Sequence, residues 1–339
     1  MKTREVRIED AVGLRLAYDL TEIVPGERKG AVLRRGQLLT PEDIPTLRRI
    51  GKSSIYVLDI EPGEVHEDDA AKRLATLLAG PGIVIDMPGE AWADMRASHK
   101  GLLKVDARRL HTINSIGDLL VATRHTNSFV HPGDLVAKAK VRGLVVHEDR
   151  LSRAAAVAAA DPIIHVVPFR PVEAGIVVTG REICEKRVED AFVPLLARRL
   201  AEYGSTIVES AVVPDEAEQI ACAISDMMAR NVDIIIVTGG MSPDDCTPRG
   251  IELSGARVVF YGAPVSPGAM TLLAYNDAVP VIGVPAGILA RPRGFFDLIL
   301  GRILAGERLE SPAVAEYGHG GLCLGCKVCT FPACPFGKG

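Results

Sequence analysis

The residues between Asp233 and Pro248 combine the features of a ligand-binding loop. A β-branched apolar run, Asp233–Val237, is followed by Thr238-Gly239-Gly240 and then by Asp244 and Asp245. The short apolar run predicts a strand that is buried on both faces. The two glycines permit the positive φ angles of a sharp turn, and they let a ligand approach the backbone closely.

A helix start follows this turn. Thr247 can cap the helix with its hydroxyl, and Pro248 suits the first helical position because its missing N–H is not needed there. Free N–H groups at such a start can bind a phosphate, while Asp244 and Asp245 can hold a metal ion such as Mg²⁺ or orient an anion. Taken alone, the pattern is more typical of an ordinary βα loop with solvated aspartates.

Four cysteines lie close together near the end of the sequence: Cys323, Cys326, Cys329 and Cys334. Four thiols in so short a segment can surround one ion or cluster with little loss of loop-closure entropy. The two-residue spacings and the final Cys-Pro are typical of ferredoxin-type iron–sulfur ligands, although the last gap has four residues where that pattern has three. Zinc held by four cysteines is the alternative, and two disulfides are a third.

Composition excludes several classes of function. The 339 residues carry a formal net charge of −4, which gives no basic surface for nucleic acid or for an anionic membrane. The charged N-terminus is unlike a secretory signal, and no apolar run has the length of a transmembrane helix. The three other cysteines, Cys184, Cys222 and Cys246, are scattered, which favours a reducing compartment. We therefore predict a cytoplasmic protein, for which the sequence leaves the oligomeric state open.

The first half of the chain predicts two small regions. In residues 1–64, Thr40 and Pro41 begin a helix that Gly51 ends. In residues 65–170, one amphipathic helix is followed by short, turn-separated apolar runs, which predict a β-rich domain. The runs are Ile83–Asp86, Leu102–Val105, Leu119–Thr123, Leu135–Ala137 and Leu144–Val146.

From Gly175 onward, strand and helix patterns alternate. The predicted strands are Ile176–Val178, Thr206–Val208, Ile234–Val237, Val258–Phe260 and Val281–Val284. This alternation predicts a three-layer α/β domain over residues 171–312 with a mainly parallel sheet, and a cysteine-rich tail over 313–339. Ligands bind beyond the carboxyl ends of such strands. There we expect Thr179-Gly180, Val213-Pro214-Asp215, Thr238–Gly240 and Val284–Gly287 to meet. Asp215 and Glu218 also have the spacing of a capping box.

The Thr238-Gly239-Gly240 turn with its acidic loop resembles the signature of the molybdopterin-binding fold shared by gephyrin-type enzymes. Asp245-Cys-Thr247-Pro248 is closest to the molybdopterin adenylyltransferase version of that signature. Gly36–Gly51, in contrast, resembles the segment that links the first two domains of molybdopterin molybdenumtransferases. The resemblance is specific over residues 174–306 and weaker elsewhere.

Other positions match the same family. Thr179-Gly180-Arg181-Glu182 resembles its opening Thr-Gly-x-Glu, Asp215 matches an active-site aspartate, and Gly268 stands where the family has a Pro-Gly pair near the pterin. Val284–Ile288 departs from the family's Leu-Pro-Gly-Asn-Pro because it lacks the asparagine.

The resemblance implies a protein of molybdenum-cofactor biosynthesis that binds molybdopterin or adenylylated molybdopterin and inserts molybdate with release of AMP. Adenylyl transfer, or a non-catalytic carrier or redox-responsive regulator, are the alternatives. The implied catalytic residues are Asp215, Asp244 and Asp245, which would place Mg²⁺ or molybdate. The implied ligand-binding residues are Thr179, Gly180, Glu182, Thr238, Gly239, Gly240, Ser242, Thr247, Gly268 and Pro285.

Overall fold

The computed structural model describes residues 2–24, 28–59, 61–89 and 91–338, which form two compact units. The N-terminal unit comprises Met1–Ser98, Val105–Arg124 and Pro132–His165, and the C-terminal unit comprises His99–Lys104, His125–His131 and Val166–Gly339. In the described ranges, no helix is long and apolar enough to cross a membrane.

Runs of consecutive strands dominate the first half of the chain, and strands and helices alternate from β14 to β17. The strands are β1 (Lys2–Arg7), β2 (Leu20–Val24), β3 (Arg28–Leu33), β4 (Ser54–Asp59), β5 (Glu64–His66), β6 (Ile83–Gly89), β7 (Trp92–Ala97), β8 (Gly101–Val105), β9 (Leu119–Thr123), β10 (Ser128–Val130), β11 (Leu135–Val141), β12 (Val145–His147), β13 (Ile164–Pro168), β14 (Glu173–Thr179), β15 (Thr206–Val213), β16 (Ile234–Gly239), β17 (Arg257–Tyr261), β18 (Leu272–Asn276) and β19 (Val279–Pro285). The α-helices are α1 (Ile44–Arg49), α2 (Glu67–Leu78), α3 (Ala107–Asn114), α4 (Glu148–Ala158), α5 (Arg181–Cys184), α6 (Phe192–Ala201), α7 (Ala217–Ala229), α8 (Cys246–Leu253), α9 (Phe295–Leu304) and α10 (Ser311–Ala315).

The N-terminal unit begins with two antiparallel pairs, β1 with β4 and β2 with β3. A capping box between Thr40 and Asp43 opens a 3-10 turn that leads into α1. Leu47 of α1 is fully buried, and Gly51 follows the helix with φ 77°. The predicted helix is therefore confirmed.

This unit also contains a four-stranded antiparallel sheet with strand order β6-β7-β11-β9, and α2 packs on it. Strand β7 was not predicted, because Asp94 and Arg96 interrupt its apolar pattern. Arg96 donates to the buried Asp94 carboxylate over 3.0 Å, so the charge is satisfied inside the sheet. Helix α3 was also not predicted.

The C-terminal unit contains a six-stranded sheet in the order β15-β14-β16-β19-β18-β17. The first four strands are parallel to one another, and β18 runs antiparallel to both of its neighbours, β19 and β17. Alternate residues of β14 and β16 enter two separate cores: Ile176 and Ile236 face one, and Val177 and Ile235 face the other. Both faces of the sheet are thus covered, which confirms the predicted three-layer α/β fold with a mainly parallel sheet.

The cysteine-rich tail is docked on this unit although it has little regular structure. Leu322 forms a β-bridge with Ser266, and the amide of Gly337 donates to the carbonyl of Gly320 over 3.0 Å. Phe336 is only 3% exposed and belongs to the core. The segment between these anchors carries the four cysteines.

Candidate functional site

The carboxyl ends of the four parallel strands form one edge of the C-terminal sheet. The register pairs Thr179 with Val213, Thr238 with Val284 and Gly239 with Pro285. This confirms that the predicted strand ends lie side by side. The edge is the position at which ligands bind in sheets of this kind.

Three buried threonine hydroxyls lie at this edge. Thr179, Thr238 and Thr247 are at most 3% exposed. The hydroxyl oxygens of Thr179 and Thr247 are 3.2 Å apart and share a hydrogen bond that joins β14 to α8. The hydroxyl of Thr238 has no hydrogen-bond partner among the described residues. A buried hydroxyl without a partner is costly, so it is a group that a ligand or water could satisfy.

The two glycines leave room for protein side chains. A Cβ on Gly239 would lie 1.8 Å from the Thr179 hydroxyl oxygen, and Gly239 has φ 147°. A Cβ on Gly240 would lie 2.4 Å from Cγ of Asp245. The glycines therefore allow Thr179 and Asp245 to lie directly against the turn. In the sequence analysis, this close approach to the backbone was attributed to a ligand and not to protein side chains.

Asp245 closes the loop on itself. Its Oδ2 accepts the amide of Ser242 over 2.6 Å, and its own amide donates to the Ser242 carbonyl over 2.9 Å. Asp245 is also the N-cap residue of α8, although its side chain does not cap the helix. The prediction that Thr247 caps this helix is wrong, because the helix begins at Cys246 and the Thr247 hydroxyl turns inward to Thr179. The first-turn amides of α8 consequently have no side-chain cap.

The capping box predicted for Asp215 and Glu218 is wrong as well. Helix α7 begins at Ala217 with Glu216 as its N-cap residue, and no side chain caps it. Pro214 brings Glu216 into position, since the amide of Glu216 donates to the Pro214 carbonyl over 2.8 Å. Asp215 is exposed at the end of β15. Its carboxylate therefore does not serve the helix.

The acidic loop affects a neighbouring tyrosine that the sequence pattern did not identify. Tyr261 donates its hydroxyl to the Met241 carbonyl over 2.6 Å. Burial raises the pKa of Tyr261, and the charges of Asp245 and then Asp244 raise it further. Asp244 itself is exposed. The loop thus presents negative charge at the sheet edge, which suits a cation or a cation-bound phosphate.

Two further predicted residues frame the first strand end. Glu182 lies in the short helix α5 and is exposed, with its carboxylate beside Gly180. The amide of Gly180 donates to the Val213 carbonyl over 3.0 Å, which ties the ends of β14 and β15 together. Ser242 is exposed on the acidic loop.

Gly268 and Pro285 share a separate cavity of about 210 Å³, which we call the proline cavity. Its lining includes Arg291 and Arg293, which the sequence analysis did not single out. Burial alone would lower the pKa of Arg293, but hydrogen bonding to Glu202 and the charge of Asp297 raise it. Arg293 is therefore cationic at any physiological pH. The Arg-Pro-Arg sequence that follows the 3-10 turn Ala286–Ala290 after β19 was the signal that could have revealed these residues.

The four tail cysteines line one cavity of about 170 Å³, the cysteine cavity. All four are free thiols, so the two disulfides that the sequence left open as an alternative are not formed. In the described ranges, no three His, Cys, Asp or Glu side chains are arranged to hold one metal ion. Within the described residues, neither the tail cysteines nor the three aspartates form such a group; the aspartates are Asp215, Asp244 and Asp245.

Two segments of the chain match known protein families. Residues 175–306 match the family described as "Probable molybdopterin binding domain", and residues 5–59 match a family described as "Domain of unknown function (DUF8806)". The first match covers nearly all of the six-stranded sheet. This α/β domain is therefore similar to the family of probable molybdopterin-binding domains.

Similar curated proteins share only part of this chain. A CinA-like protein of Mycobacterium avium (strain 104) is 38% identical over 94 residues, which is 27% of this chain and 22% of the relative. A CinA-like protein of Mycobacterium sp. (strain MCS) is 38% identical over 76 residues, or 22% of this chain and 18% of the relative. The chain thus matches about a fifth of the length of these relatives.

Solved structures give longer but weaker matches. The molybdopterin biosynthesis moea protein from Pyrococcus horikosii is 15% identical, with 90% of this chain and 75% of that one covered and a TM-score of 0.35. The molybdopterin biosynthesis Mog protein from Mycobacterium ulcerans is 21% identical, with 40% and 91% covered and a TM-score of 0.29.

Proposed function

We propose that the chain binds molybdopterin, or adenylylated molybdopterin, at the Thr238–Thr247 loop and inserts molybdate with release of AMP. The observation that carries the proposal is the loop itself. It combines the unpartnered Thr238 hydroxyl with the uncapped first turn of α8, and it lies in the domain that matches the molybdopterin-binding family. The uncapped amides favour a phosphate group at this helix end.

Magnesium fits the acidic residues on one condition. In the described structure Asp215, Asp244 and Asp245 do not form a site for one ion by themselves. Mg²⁺ commonly uses one or two carboxylates together with substrate phosphates and water, so a bound phosphate would complete its shell. Asp244 is exposed, and Asp245 has one carboxylate oxygen that Ser242 does not use. Mg²⁺ held here would neutralise the phosphate charge.

The protein's own part in the reaction is positioning. Thr179 and Thr247 hold β14 and α8 together, and Asp245 fixes the acidic loop through Ser242. When the site holds the ligand and molybdate in one geometry, less entropy remains to be lost when the two react. Glu182, Gly268 and Pro285 would contact the remainder of the ligand.

The decisive test separates the charge of Asp245 from its structural role. In Asp245→Asn the amide oxygen can still accept from Ser242, so we expect the free energy of unfolding to change by less than about 0.5 kcal/mol. Loss of the charge should reduce molybdate insertion at least about tenfold. Asp245→Ala should lose both the charge and the loop. Asp226→Asn, at an exposed position of α7, is the matched control. Unchanged turnover in Asp245→Asn would remove the catalytic assignment.

A second experiment tests the binding site directly. Gly240→Val places its side chain against the Asp245 carboxyl, so Asp245 must move. We expect mass spectrometry to find molybdopterin bound to the purified native chain and none bound to this variant. Gly30→Val is the control, because a Cβ there meets no atom within 4 Å. Equal ligand in Gly240→Val would place the binding site elsewhere.

Two other functions have specific support. Adenylyl transfer is favoured by Asp245-Cys246-Thr247-Pro248. In this reaction the AMP group of ATP would be joined to molybdopterin, and pyrophosphate would leave from ATP. A carrier or redox-responsive regulator is favoured by the missing asparagine in Val284–Ile288 and by the cysteine tail, for which we propose a thiolate metal centre of iron–sulfur or zinc type. Binding without either turnover would support the carrier.

A further inference from the structure

The cysteine cavity is lined by Cys323, Cys326, Cys329 and Cys334 together. Cys323 and Cys334 are half-buried and pack against the core, whereas Cys326 and Cys329 are exposed. Two ligands thus lie on the protein wall and two on the outer loop.

The sequence spacing of the cysteines favours a cluster over a single ion. The two-residue gaps from Cys323 to Cys329 and the final Cys334-Pro335 are typical of iron–sulfur ligands. A zinc ion requires all its sulfurs about 2.3 Å from one point, whereas each sulfur at a four-iron cluster binds a different iron. All four cysteines line the same cavity of about 170 Å³.

Two arginines bring positive charge to the cavity. Arg291 and Arg293 both line it. Arg293 is shared with Asp297 and Glu202, at 2.9 and 2.7 Å, whereas Arg291 has an exposed side chain and pairs with no carboxylate in the described ranges. The guanidinium of Arg291 would offset part of the negative charge of a cluster held by four cysteine sulfurs.

The cysteine cavity and the proline cavity have a common wall formed by Pro267, Arg291 and Arg293. The residue before this wall is bound by the tail on both sides. The amide of Ser266 donates to the Gly321 carbonyl, and the amide of Cys323 donates to the Ser266 carbonyl, each over 2.8 Å. A cluster that fixes Cys323 would therefore also fix the chain that leads to Gly268.

We propose that the cysteine cavity binds a [4Fe–4S] cluster and that the cluster, by ordering Ser266–Gly268, controls ligand binding in the proline cavity. The second half of this proposal rests on the proposed function, because it takes the ligand to be molybdopterin. Each cysteine thiol loses its proton to solvent and forms one sulfur–iron bond, and no other bond of the protein changes. Two ferrous ions, two ferric ions and four sulfide ions supply the [4Fe–4S]²⁺ core, so its assembly needs no further oxidant.

The first experiment tests the cluster alone. The full chain is incubated anaerobically with ferrous iron, ferric iron and sulfide, and iron, acid-labile sulfide and visible absorption are measured. We expect about four irons and four sulfides per chain. Cys326→Ser should lower both, and Cys222→Ser, an exposed cysteine outside the tail, should not. Full iron loading in Cys326→Ser, or zinc bound without sulfide, would overturn the cluster.

The second experiment tests the control of the proline cavity. Amide hydrogen exchange at Ser266 and Cys323 should slow at least about tenfold when the cluster is loaded. Binding of molybdopterin should tighten in parallel, and neither change should occur in Cys326→Ser. Slower exchange without any pterin binding would contradict the proposed function while leaving the cluster and its ordering effect supported. Exchange that is equal with and without the cluster would overturn the coupling.

Discussion

The Thr238–Thr247 loop and the cysteine loop Cys323–Cys334 both present chemistry at the surface of the C-terminal unit, but they are held differently. The first is fixed from within, through Asp245 and Ser242, and from below by the hydroxyl pair of Thr179 and Thr247. The second is held chiefly at its ends. A site on a sheet edge can be formed before its ligand arrives, whereas a loop held by its ends depends on its ligand for order.

The largest effect that would test this contrast is expected from two alanine substitutions. Gly239→Ala combines φ 147° with a contact of 1.8 Å to Thr179, and we expect it to lower the free energy of unfolding by about 3 kcal/mol or more. Gly325→Ala, in the cysteine loop at φ 64° with no atom within 4 Å of its Cβ, should cost only about 1 kcal/mol. Urea unfolding measures both. Equal effects would mean that the two loops are equally rigid.

The next effect concerns the anchor of the tail. Phe336→Ala removes a side chain that is 3% exposed, and we expect a loss of about 3 kcal/mol in the free energy that docks the tail. Hydrogen exchange at Gly337 should then accelerate, and iron loading should fall. Leu324→Ala is the control, because that side chain is 69% exposed. If exchange is unaffected in Phe336→Ala, the cysteine loop is held by more than its ends.

The smallest expected effect is a pH dependence of the free energy of unfolding. It should arise from residues outside both loops. Burial would raise the pKa of Glu307, but Lys104 and Arg302, at 2.8 and 2.9 Å, lower it below its ordinary value of 4.5. As the pH falls below about 4.5, the unfolded state therefore binds more protons at Glu307 than the folded state does. The stability that the Glu307 carboxylate contributes is fully present above this pH, and it is lost as the pH falls through the lower pKa of the folded state. Glu307→Gln should remove this part of the acid dependence.

We expect Glu307→Gln to cost about 1 kcal/mol at pH 7 and less at pH 3, measured by urea unfolding at both values. Glu316→Gln, at an exposed position nearby in sequence, is the control. A cost that stays constant with pH would show that the carboxylate charge contributes nothing.

The sequence predicted the sheet of the C-terminal unit because buried parallel strands are continuous apolar runs, as in Ile234–Val237. It did not predict β18, which follows a turn and is joined to β19 by the tight turn at Asp277, φ 51°. The strands of the N-terminal unit were harder to predict. Strand β7, for example, carries an ion pair between Arg96 and the buried Asp94 within its apolar pattern. Apolar periodicity carries no information about charges that are satisfied inside a sheet.

At the candidate site, the sequence indicated which residues meet but not what each one does there. Asp215 and Thr247 were both assigned as helix caps, and both helices begin one or two residues away from the predicted position. Cap positions depend on backbone angles that neighbouring strands impose, so residue type alone does not fix them. The common wall of the two cavities joins segments that are distant in the sequence, and no local pattern could reveal it.

The outer strand of the C-terminal sheet has a practical consequence for handling this protein. In the described structure β15 pairs only with β14, and its residues alternate between exposed and half-buried, with Val208 and Val212 on the exposed face. An unpaired strand edge with apolar side chains is a template for aggregation when the protein is concentrated. Lysine at Val208 should therefore improve solubility during purification, at a distance from the strand ends where the candidate ligand site lies.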